Sequence, residues 1–584
     1  MIQNKGVRIY YGDVAEGAKE NFAPTITNVT DFSKIGQIMQ EGLTFENYGN
    51  PCEYGHVILD GKSLPLPKDL NNVNIGCWSD TLFEGDYGTN NPVILTATAP
   101  TTGVKYTSIG IAFEFAVENN IFPTALNIKW YSYNATSKSY DLLSDKDFEP
   151  NEPYYLCQNI VKNYDKIVVT FQKMNMPNVR LRLRRIDFGY NAIFTPSNLN
   201  SVSVIQELSP YSDEIPANAV DFNVSSKKQI NYSFSKMQKI RTYFNDTLLN
   251  VTFVSNAQKT SRYTWEVESE DYIAVLAKVN YMGGIYNNTP INTILNEIFT
   301  AAEVPYTLDE SLTNIKITGY LPICTCQEAL RQVCFAAKAV CNTAYAEKPY
   351  IEPLPSVSHT LDSKHTVFEP ILTDIPTVSS VKLTAHSYKL STNEDDKVEA
   401  YSAADDGIGD RITVEFSQPL DNLSITHGEI LKDSSGNLLK NVNYAIIKAN
   451  TGCVLTGFPY VDTKTVKTKE NPNFLPTETK QEIEVEDATL INAQNQDDIL
   501  NNMYTYLTKE SRYTVNAVEN VAGVKFGTFK FGEIKFGEPL ADEVIKVGET
   551  LIFPTRYSGQ QSGIITSQRY SCNGFILRKE CEVI

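Results

Sequence analysis

The sequence predicts a mainly β protein with a small α+β insert, and three observations support that class. Aromatic residues make up 11% of the 584 residues, with 33 Tyr and 27 Phe, and such side chains favour strands. Short runs with strand-like alternation recur between Gly, Pro, Asn and Asp turns. Residues 286–355, by contrast, combine helix caps with helical periodicity. The length predicts several domains of roughly 100–200 residues each.

Residues 1–200 predict an antiparallel β-sandwich, because regular strands alternate with turns throughout this region. In 179–186 the arginines alternate with Leu181 and Leu183, which predicts a strand with one apolar face and one solvated basic face. The predicted strands are 7–11, 93–96, 110–115, 126–131, 166–171 and 179–186.

Residues 201–285 predict a strand-rich domain that follows a Ser/Pro/Asp-rich linker. Its expected strands are 240–244, 248–254, 263–267 and 272–276.

Residues 286–355 predict the order helix, strand, helix, strand. Thr289 is the expected N-cap of the first helix with Pro290 at its first position. A strand follows at 315–321, and Thr325 with Glu328 forms a capping box for the second helix. The last strand is expected at 345–351. The apolar faces are predicted to be Ile291, Ile294, Leu295, Ile298, Phe299 and Ala302 on the first helix, and Ala329, Leu330, Val333, Cys334, Ala337, Val340 and Cys341 on the second.

Residues 356–495 predict a further β region, with strands at 378–388, 411–416 and 444–449. The acidic stretch 393–410 is expected to be a mobile loop, since it lacks the ligand spacing of an EF-hand.

Residues 496–584 predict one helix and a run of barrel-like strands. The helix should begin at Asp497 or Asp498. Lys-Phe-Gly recurs at 525, 530 and 535, which favours strand edges with glycine bends. Strands follow from about 548 to the C-terminal end.

Three segments resemble the baseplate hub and tail-associated proteins of phages and phage-tail-like particles of Gram-positive bacteria. They are GYLPICTCQEALRQVCFAAKAV at 319–340, followed by YIEPLP at 350–355; the run from Glu214 to Phe222; and the closing pattern from Gly548 to Tyr570. This resemblance implies a structural protein that forms a homotrimer, in which two tail-tube-like barrels per subunit make a pseudo-sixfold ring. The first barrel would be 201–285, and the second would begin in 356–495 and close with the strands of 496–584. Such a ring would join a six-fold tail tube to a three-fold spike or fibre.

The same resemblance implies the partners and the location. The partners would be the tail tube protein, a spike or central fibre protein and other baseplate proteins, with a tape measure protein as a further candidate. DNA would pass through the lumen without specific binding. The protein would belong to the virion tail baseplate, or to a phage-tail-like bacteriocin particle, after assembly in the bacterial cytoplasm. Whether the tail is contractile stays open. In this family lytic activity tends to belong to an appended C-terminal domain, and we expect none here.

The segments FPTALNIKWYSYN and NYDKIVVTFQKMNMPNVRLRLRRIDFGY, at 122–134 and 163–190, resemble a galactose-binding, discoidin-type sandwich. This gives an alternative hypothesis, in which the N-terminal domain binds host cell-wall glycans. The residues expected to stack on sugar are Trp78, Trp130, Tyr131 and Tyr133. Trp130 has a second interpretation as a core residue, because it alternates with Leu126 and Ile128 on one strand.

The composition argues against several other functions. A net charge of −18 is unsuited to nonspecific binding of nucleic acid or anionic membrane, and no apolar run reaches the ~18 residues of a membrane span. The N-terminus lacks the apolar segment of a secretory signal. No nucleotide, serine-hydrolase or zinc-peptidase motif occurs. We therefore expect no enzyme, catalytic residue, cofactor or metal, although an undetected carboxylate pair of a peptidoglycan-cleaving glycosidase stays a third hypothesis.

The cysteines raise one question about metal binding. Cys324-x-Cys326 does not have the spacing of a zinc knuckle, and a second pair of ligands is missing. Cys334 and Cys341, seven residues apart, are expected to pack on one buried helical face.

Overall fold

The computed structural model describes residues 6–49, 53, 64–117, 120–211, 215–226, 234–245, 247–361, 369–403, 408–475, 480–520, 527–530, 533–536, 545–573 and 576–584. The predicted class, mainly β with an α+β insert, is confirmed. Within the described residues the helices are α1 Ala18–Asn21, α2 Tyr272–Leu276, α3 Ile291–Ala301, α4 Cys326–Ala337 and α5 Gln496–Leu507, with short 3-10 turns at Ile35–Met39, Glu310–Leu312 and Glu394–Asp396.

The strands follow in chain order. The first fifteen are β1 Val7–Val14, β2 Ala23–Ile26, β3 Tyr48–Gly49, β4 Leu64–Pro65, β5 Cys77–Trp78, β6 Gly88–Thr98, β7 Tyr106–Glu114, β8 Pro123–Asn134, β9 Ser139–Phe148, β10 Tyr154–Tyr164, β11 Lys166–Met174, β12 Arg182–Leu183, β13 Arg185–Asp187, β14 Gly189–Phe194 and β15 Leu199–Glu207. The next twelve are β16 Ala219–Ser225, β17 Lys239–Phe244, β18 Thr247–Lys259, β19 Thr264–Glu270, β20 Asn280–Tyr281, β21 Gly284–Pro290, β22 Thr307–Leu308, β23 Lys316–Leu321, β24 Cys324–Thr325, β25 Ala339–Asn342, β26 Tyr350–Pro353 and β27 Ser358–Thr360. The last are β28 Ile371–Asp374, β29 Ser380–Leu390, β30 Val398–Ser402, β31 Gly409–Glu415, β32 Leu420–Ile430, β33 Tyr444–Glu470, β34 Glu482–Val485, β35 Ser511–Asn520, β36 Gly527–Lys530, β37 Glu533–Phe536, β38 Thr550–Thr555, β39 Gly559–Asn573 and β40 Ile576–Val583.

The chain divides into two compact units. The first contains Met1–Gln3, Ile9–Phe194 and Ile230–Ile240, and the second contains Asn4–Arg8, Thr195–Gln229 and Arg241–Ile584. The five predicted domain ranges stay predictions.

The first unit is a β-sandwich. One sheet has the strand order β2-β6-β11-β8-β9 and the other β10-β7-β13. Their inner faces share one core, because alternate residues of each strand point inward. The core includes Leu95, Phe113, Leu126, Trp130, Val169, Phe171 and Ile186. Alternation therefore located the inner faces of this unit correctly.

The prediction of a solvated basic strand at 179–186 is wrong. The segment is broken into β12 and β13, and Arg182 and Arg184 are 3% and 6% exposed. The guanidinium of Arg182 donates to the carboxylate of Glu53 and, over 2.6 Å, to the carbonyl of Tyr48. It also lies 4.0 Å from the centre of the Trp78 ring. A buried guanidinium is tolerated here because a carboxylate and an aromatic face replace its water.

The second unit contains a large antiparallel sheet with the strand order β18-β19-β16-β15-β39-β40-β35-β28. Residues distant in sequence are paired directly: β15 runs antiparallel to β39, from Val202 opposite Cys572 to Glu207 opposite Ser567. This sheet therefore joins strands from the predicted first barrel, 201–285, to strands from 496–584.

The insert between these strands matches its prediction in most positions. Ile291, Ile294, Leu295, Ile298 and Phe299 of α3 are buried, as are Ala329, Leu330, Val333, Cys334 and Ala337 of α4. Thr325 caps α4, its side chain accepting a hydrogen bond from the N–H of Glu328 over 3.1 Å. The Glu328 carboxylate pairs with Arg331, at 2.6 Å.

Three details of the insert were predicted wrongly. Pro290, not Thr289, occupies the N-cap of α3, without a side-chain hydrogen bond. Helix α4 ends at Ala337 because Lys338 adopts the left-handed conformation, with φ 56°. Val340 and Cys341 consequently lie on β25, which pairs with β26. The predicted strand 345–351 begins only at Tyr350, since Tyr345 also has a positive φ of 56°.

The predicted strand 272–276 is helix α2. The side chain of Asp271 caps it by accepting a hydrogen bond from the N–H of Ile273 over 2.9 Å. The buried residues Tyr272, Ile273 and Leu276 have helical spacing. An Asp before an apolar run favours a helix start, and that signal was overlooked.

The region 380–507 is built around β33, a strand of 27 residues. It pairs with β29 at one end and with β30, β31 and β32 at the other. The prediction of a mobile loop at 393–410 is partly wrong, because 398–402 forms β30. Residues 404–407 lie outside the described part. Helix α5 packs against β29, with Ile499, Leu500 and Met503 buried.

The Lys-Phe-Gly region forms a hairpin of β36 and β37, from Gly527 opposite Phe536 to Lys530 opposite Glu533. The predicted strand edges are thereby confirmed at these residues. The remaining repeat positions, 525–526, 531–532 and 537, lie outside the described residues.

The two threonines predicted as caps provide a direct test. Thr325→Ala should lower the free energy of unfolding by about 1 kcal/mol, because it removes a side-chain acceptor from a helix N-terminus. Thr289→Ala is the matched control and should change it by less than about 0.5 kcal/mol, since Thr289 caps no helix. Urea unfolding monitored by circular dichroism measures both. Equal losses would contradict the assigned caps.

Candidate functional surface

The structure places the four predicted stacking residues in two different environments. Trp130 is fully buried and Trp78 is 3% exposed, with its indole N–H donating to the carbonyl of Ile75 over 3.1 Å. Neither tryptophan has a ring face open to a sugar. Tyr131 and Tyr133 are half-buried on the outer face of the sandwich, and sugar contact stays a prediction for these two.

The cysteine cluster of the insert does not resemble a reactive or metal site. Cys324, Cys326, Cys334 and Cys341 are free thiols. Burial raises the pKa of Cys334 to about 12 and, with the nearby Glu328 charge, that of Cys324 to about 12. Thiols are poor nucleophiles and ligands in that state. Among the described residues no group of three or more His, Cys, Asp or Glu could hold a metal ion, and none of their helices is long and apolar enough to cross a membrane.

The most distinctive surface is the outer face of the large sheet in the second unit. The residues of β19 alternate strictly: Trp265 and Val267 point inward, and Glu266 and Glu268 point outward. The register aligns the outward residues of neighbouring strands, for example Asp221 of β16 opposite Glu268. We call this eight-strand surface the polar face.

Carboxylates predominate on the polar face. In the described part of the sheet seven acidic side chains lie there, against three arginines. The acidic residues are Glu207, Asp221, Glu266, Glu268, Glu270, Glu580 and Glu582, and the arginines are Arg512, Arg569 and Arg578. The remaining outward residues of these strands are largely Ser, Thr, Asn and Gln. The face is therefore hydrophilic and negative.

The carboxylates are concentrated where β16 and β19 meet. Partial burial, and then the charges of Glu268 and Glu270, raise the pKa of Asp221. Like charges on adjacent strands destabilise a sheet. At the other end of the face charges are balanced, since Arg512 pairs with Glu582 at 3.0 Å.

The inward face of the same sheet is covered by the protein's own core. Ile565, Cys581 and Val583 pack with Leu551 and Phe553 of β38. Polar groups on this side are internally hydrogen-bonded: Gln568 donates to the carbonyl of Ile545 over 3.0 Å, and Gln206 donates to Asn250 over 2.7 Å. Of the two faces of this sheet, in the residues that the structure describes, the polar face is the one exposed to other molecules.

A buried carboxylate lies where the sheet meets the helices. Asp271, which caps α2, also accepts hydrogen bonds from the N–H of Asn218, over 2.9 Å, and from the hydroxyl of Thr343. Complete burial raises the pKa of Asp271 to about 6, although these hydrogen bonds oppose the shift. This residue links β16, α2 and the end of β25.

Residues 486–492, the bridging segment, connect the insert to the sheet of β29 and β33. Arg331 of α4 contacts Asp487 at 3.2 Å, and the N–H of Thr489 donates to Gln332 over 3.0 Å. On the other side the N–H of His386 donates to the carbonyl of Ile491 over 2.7 Å. Gly319 of β23 has a positive φ of 152°, and a Cβ there would lie 2.6 Å from the carbonyl oxygen of Thr489. The glycine permits this close approach.

Comparisons with known proteins were made on sequence and on structure. No family model matches the chain, and no curated protein matches it. Among solved structures it resembles phage tail proteins and secretion-system components.

The tail protein of Neisseria meningitidis has a TM-score of 0.39 and 8% identity, over 66% of this chain and 92% of that one. The prophage tail protein gp18 of Listeria monocytogenes has a TM-score of 0.35 and 10% identity, over 68% and 90%. A type VI secretion system component of E. coli has a TM-score of 0.31 and 7% identity, over 66% and 73%. At these values the likenesses assign no role to this chain.

Asp271 should make the stability of the second unit depend on pH. Because its folded pKa, about 6, is above its unfolded value, protonation favours the folded state, and this stabilisation is lost as the pH rises from about 4 to about 6. We therefore expect the free energy of unfolding of the native protein to exceed that of Asp271→Asn by an amount that grows as the pH falls, by up to about 3 kcal/mol. Urea unfolding measures this difference.

Asp309 provides a control of opposite sign. Hydrogen bonds from Ser311 and Tyr350 lower its pKa, so its contribution is present at neutral pH and is lost as the pH falls. The free energy of unfolding of the native protein should exceed that of Asp309→Asn by less at acidic pH than at neutral pH. The same pH trend for both variants would contradict the assignment for Asp271.

Proposed function

We propose that the chain is a structural hub subunit of a phage or phage-like tail baseplate. It would form a homotrimer that adapts a six-fold tail tube to a three-fold spike or fibre, with the polar face lining the central channel. The observation that supports this most directly is the polar face itself: eight paired strands with outward carboxylates and an inward face covered by the protein's own core. The sequence resemblance at 214–222, 319–340 and 548–570 points to the same role.

The charge of the polar face suits a channel for DNA. Duplex DNA has one negative charge per ~1.7 Å, so basic walls would bind it and carboxylate walls would repel it. The Ser, Thr and Asn side chains between the carboxylates keep the wall hydrated. A polyanion could then move through such a channel without adhering to it.

The end of the sheet suits assembly with another subunit. In the described part of the chain β28 is the last strand beyond β35, and its Ile371 and Leu372 are 56% and 52% exposed. An exposed apolar edge strand favours pairing with another chain. No metal, cofactor or catalytic residue enters the proposal.

Mass photometry and negative-stain imaging of the full chain test the assembly. We expect particles of three subunits with a central opening. A monomer at micromolar concentration would overturn the trimer. Addition of the tail tube protein should extend the particle along one axis, which distinguishes a hub from an unrelated trimer.

Charge reversal tests the channel. Glu266→Lys, Glu268→Lys and Glu270→Lys together should make the assembly retain linear duplex DNA, but not covalently closed circular DNA, because a channel can be entered only from a free end. The matched control reverses Glu394, Asp395 and Asp396, which are exposed and lie outside the sheet. It should bind linear and circular DNA equally. Equal binding of both forms by the first variant would place the polar face on the exterior.

A second candidate function, glycan binding by the sandwich, is favoured by one observation. Tyr133 and Tyr140 are in edge-to-face contact, with ring centres 5.4 Å apart, and Lys166 lies 4.6 Å from the Tyr140 ring centre and 5.6 Å from that of Tyr131. Half-buried tyrosines with nearby cations can stack on sugars.

An array of Gram-positive wall glycans tests this function with the full chain. Binding by the native protein that is lost in Tyr133→Ala/Tyr140→Ala would support it. Tyr263→Ala, at a tyrosine 47% exposed on the second unit, should bind normally. No binding by the native protein would remove this candidate without affecting the hub proposal.

A further inference from the structure

His386 is a buried histidine whose two ring nitrogens both face acceptors. It lies on β29 and its side chain is 2% exposed. Nδ1 is 2.7 Å from Oδ2 of Asp462, on β33, and Nε2 is 2.8 Å from the main-chain carbonyl oxygen of Glu486, in the bridging segment. The ring therefore connects three segments of the second unit.

Hydrogen-bond counting determines how many protons this contact holds. A neutral imidazole has one N–H, and neither an ionised carboxylate nor a carbonyl can donate. With a neutral ring and an ionised Asp462, one of the two short contacts would bring lone pairs together. Both short contacts are hydrogen bonds only when the His386–Asp462 pair holds one more proton, either as an imidazolium or as a protonated carboxyl.

Other charged and titratable groups lie around the pair. The carboxylate of Glu486 pairs with Lys464 at 2.7 Å, and its pKa is lowered first by Lys464 and also by His386. Tyr388 stacks on the His386 ring with centres 6.0 Å apart. Its phenol stays neutral, because burial and then the Asp462 charge raise the pKa of Tyr388, and it also packs against Tyr320 of β23.

We propose that the His386–Asp462 pair is a proton-dependent contact that holds the bridging segment against β29 and β33. Loss of the shared proton would either remove the hydrogen bond to Glu486 or leave lone pairs of His386 and Asp462 facing each other. Either change frees the bridging segment, in which Asp487 contacts Arg331 and Thr489 contacts Gln332. Raising the pH should therefore loosen the connection between the sheet of β29 and β33 and the insert, because the closed state binds one more proton than the open state.

Hydrogen exchange of the full chain tests this proposal without any variant. After correction for the intrinsic effect of pH, the amides of Thr489 and Ile491 and of His386 itself should lose about tenfold or more of their protection between about pH 6 and about pH 9, the effect of one charge-assisted hydrogen bond. Amides of α3, far from this contact in sequence, are the internal reference. Unchanged protection at the three amides would overturn the proposal.

Two substitutions separate the two hydrogen bonds. His386→Gln can still donate to Glu486 from the position of Nε2, whereas His386→Asn can donate only from the position of Nδ1. We expect His386→Asn to expose the bridging segment at neutral pH more than His386→Gln does. Both variants, and Asp462→Asn, should remove the pH dependence. His427→Gln, at an exposed histidine, should retain it. Persistence of the pH dependence in Asp462→Asn would also overturn the proposal.

Discussion

Pairing between β15 and β39 is the constraint on which the second unit depends. Glu207 and Ser567 are opposite each other in the register, although the whole insert and the β29–β33 region lie between them in the chain. Closing so long a loop costs conformational entropy. This cost must be offset by the free energy gained when the closed sheet buries apolar surface. That apolar burial is on one face of the sheet only, in the core that includes Val515, Ile565 and Phe553. The outward face contributes little to stability, and its composition is therefore free to serve another purpose.

The same constraint explains why the bridging segment is so heavily hydrogen-bonded. The insert and the β29–β33 sheet are both inserted between β19 and β35, so neither is held in place by chain connectivity alone. Arg331, Gln332 and Gly319 fix one side of the bridging segment, and His386 fixes the other. The motif around Gly319 and Cys326 resembles the phage hub proteins, and here its residues mediate a contact between two parts of the fold. Buried hydrogen-bonded networks of this kind determine a unique arrangement of packed elements.

Local structure could be predicted from the sequence wherever a residue pattern has one physical meaning. Helical periodicity and the Thr325 cap predicted α4, and alternation predicted β8 and β11. The end of α4 could not be predicted, because Lys338 takes a left-handed conformation that is usually left to Gly or Asn. The burial of Arg182 was missed because its partner Glu53 is distant in sequence. The pairing of β15 with β39 was missed for the same reason: alternation shows which side of a strand is buried, but not which strand lies beside it.

The polar face shows how a candidate site can be hidden in an ordinary pattern. Glu266, Glu268 and Glu270 alternate with Trp265, Val267 and Ser269, which by itself describes any half-exposed strand. Only the register places Asp221 opposite Glu268, and this proximity adds to partial burial in raising the pKa of Asp221. Opposed carboxylates destabilise a sheet, whereas opposite charges at the same positions would stabilise it. Since Arg512 and Glu582 make such a favourable pair elsewhere on the face, the fold accommodates either arrangement. The acidic arrangement near β16 and β19 therefore lowers stability, although Asn223 and Asn256 donate to Glu266 and Glu268 over 3.4 and 3.3 Å. Exclusion of a polyanion from the face is a function that would account for it.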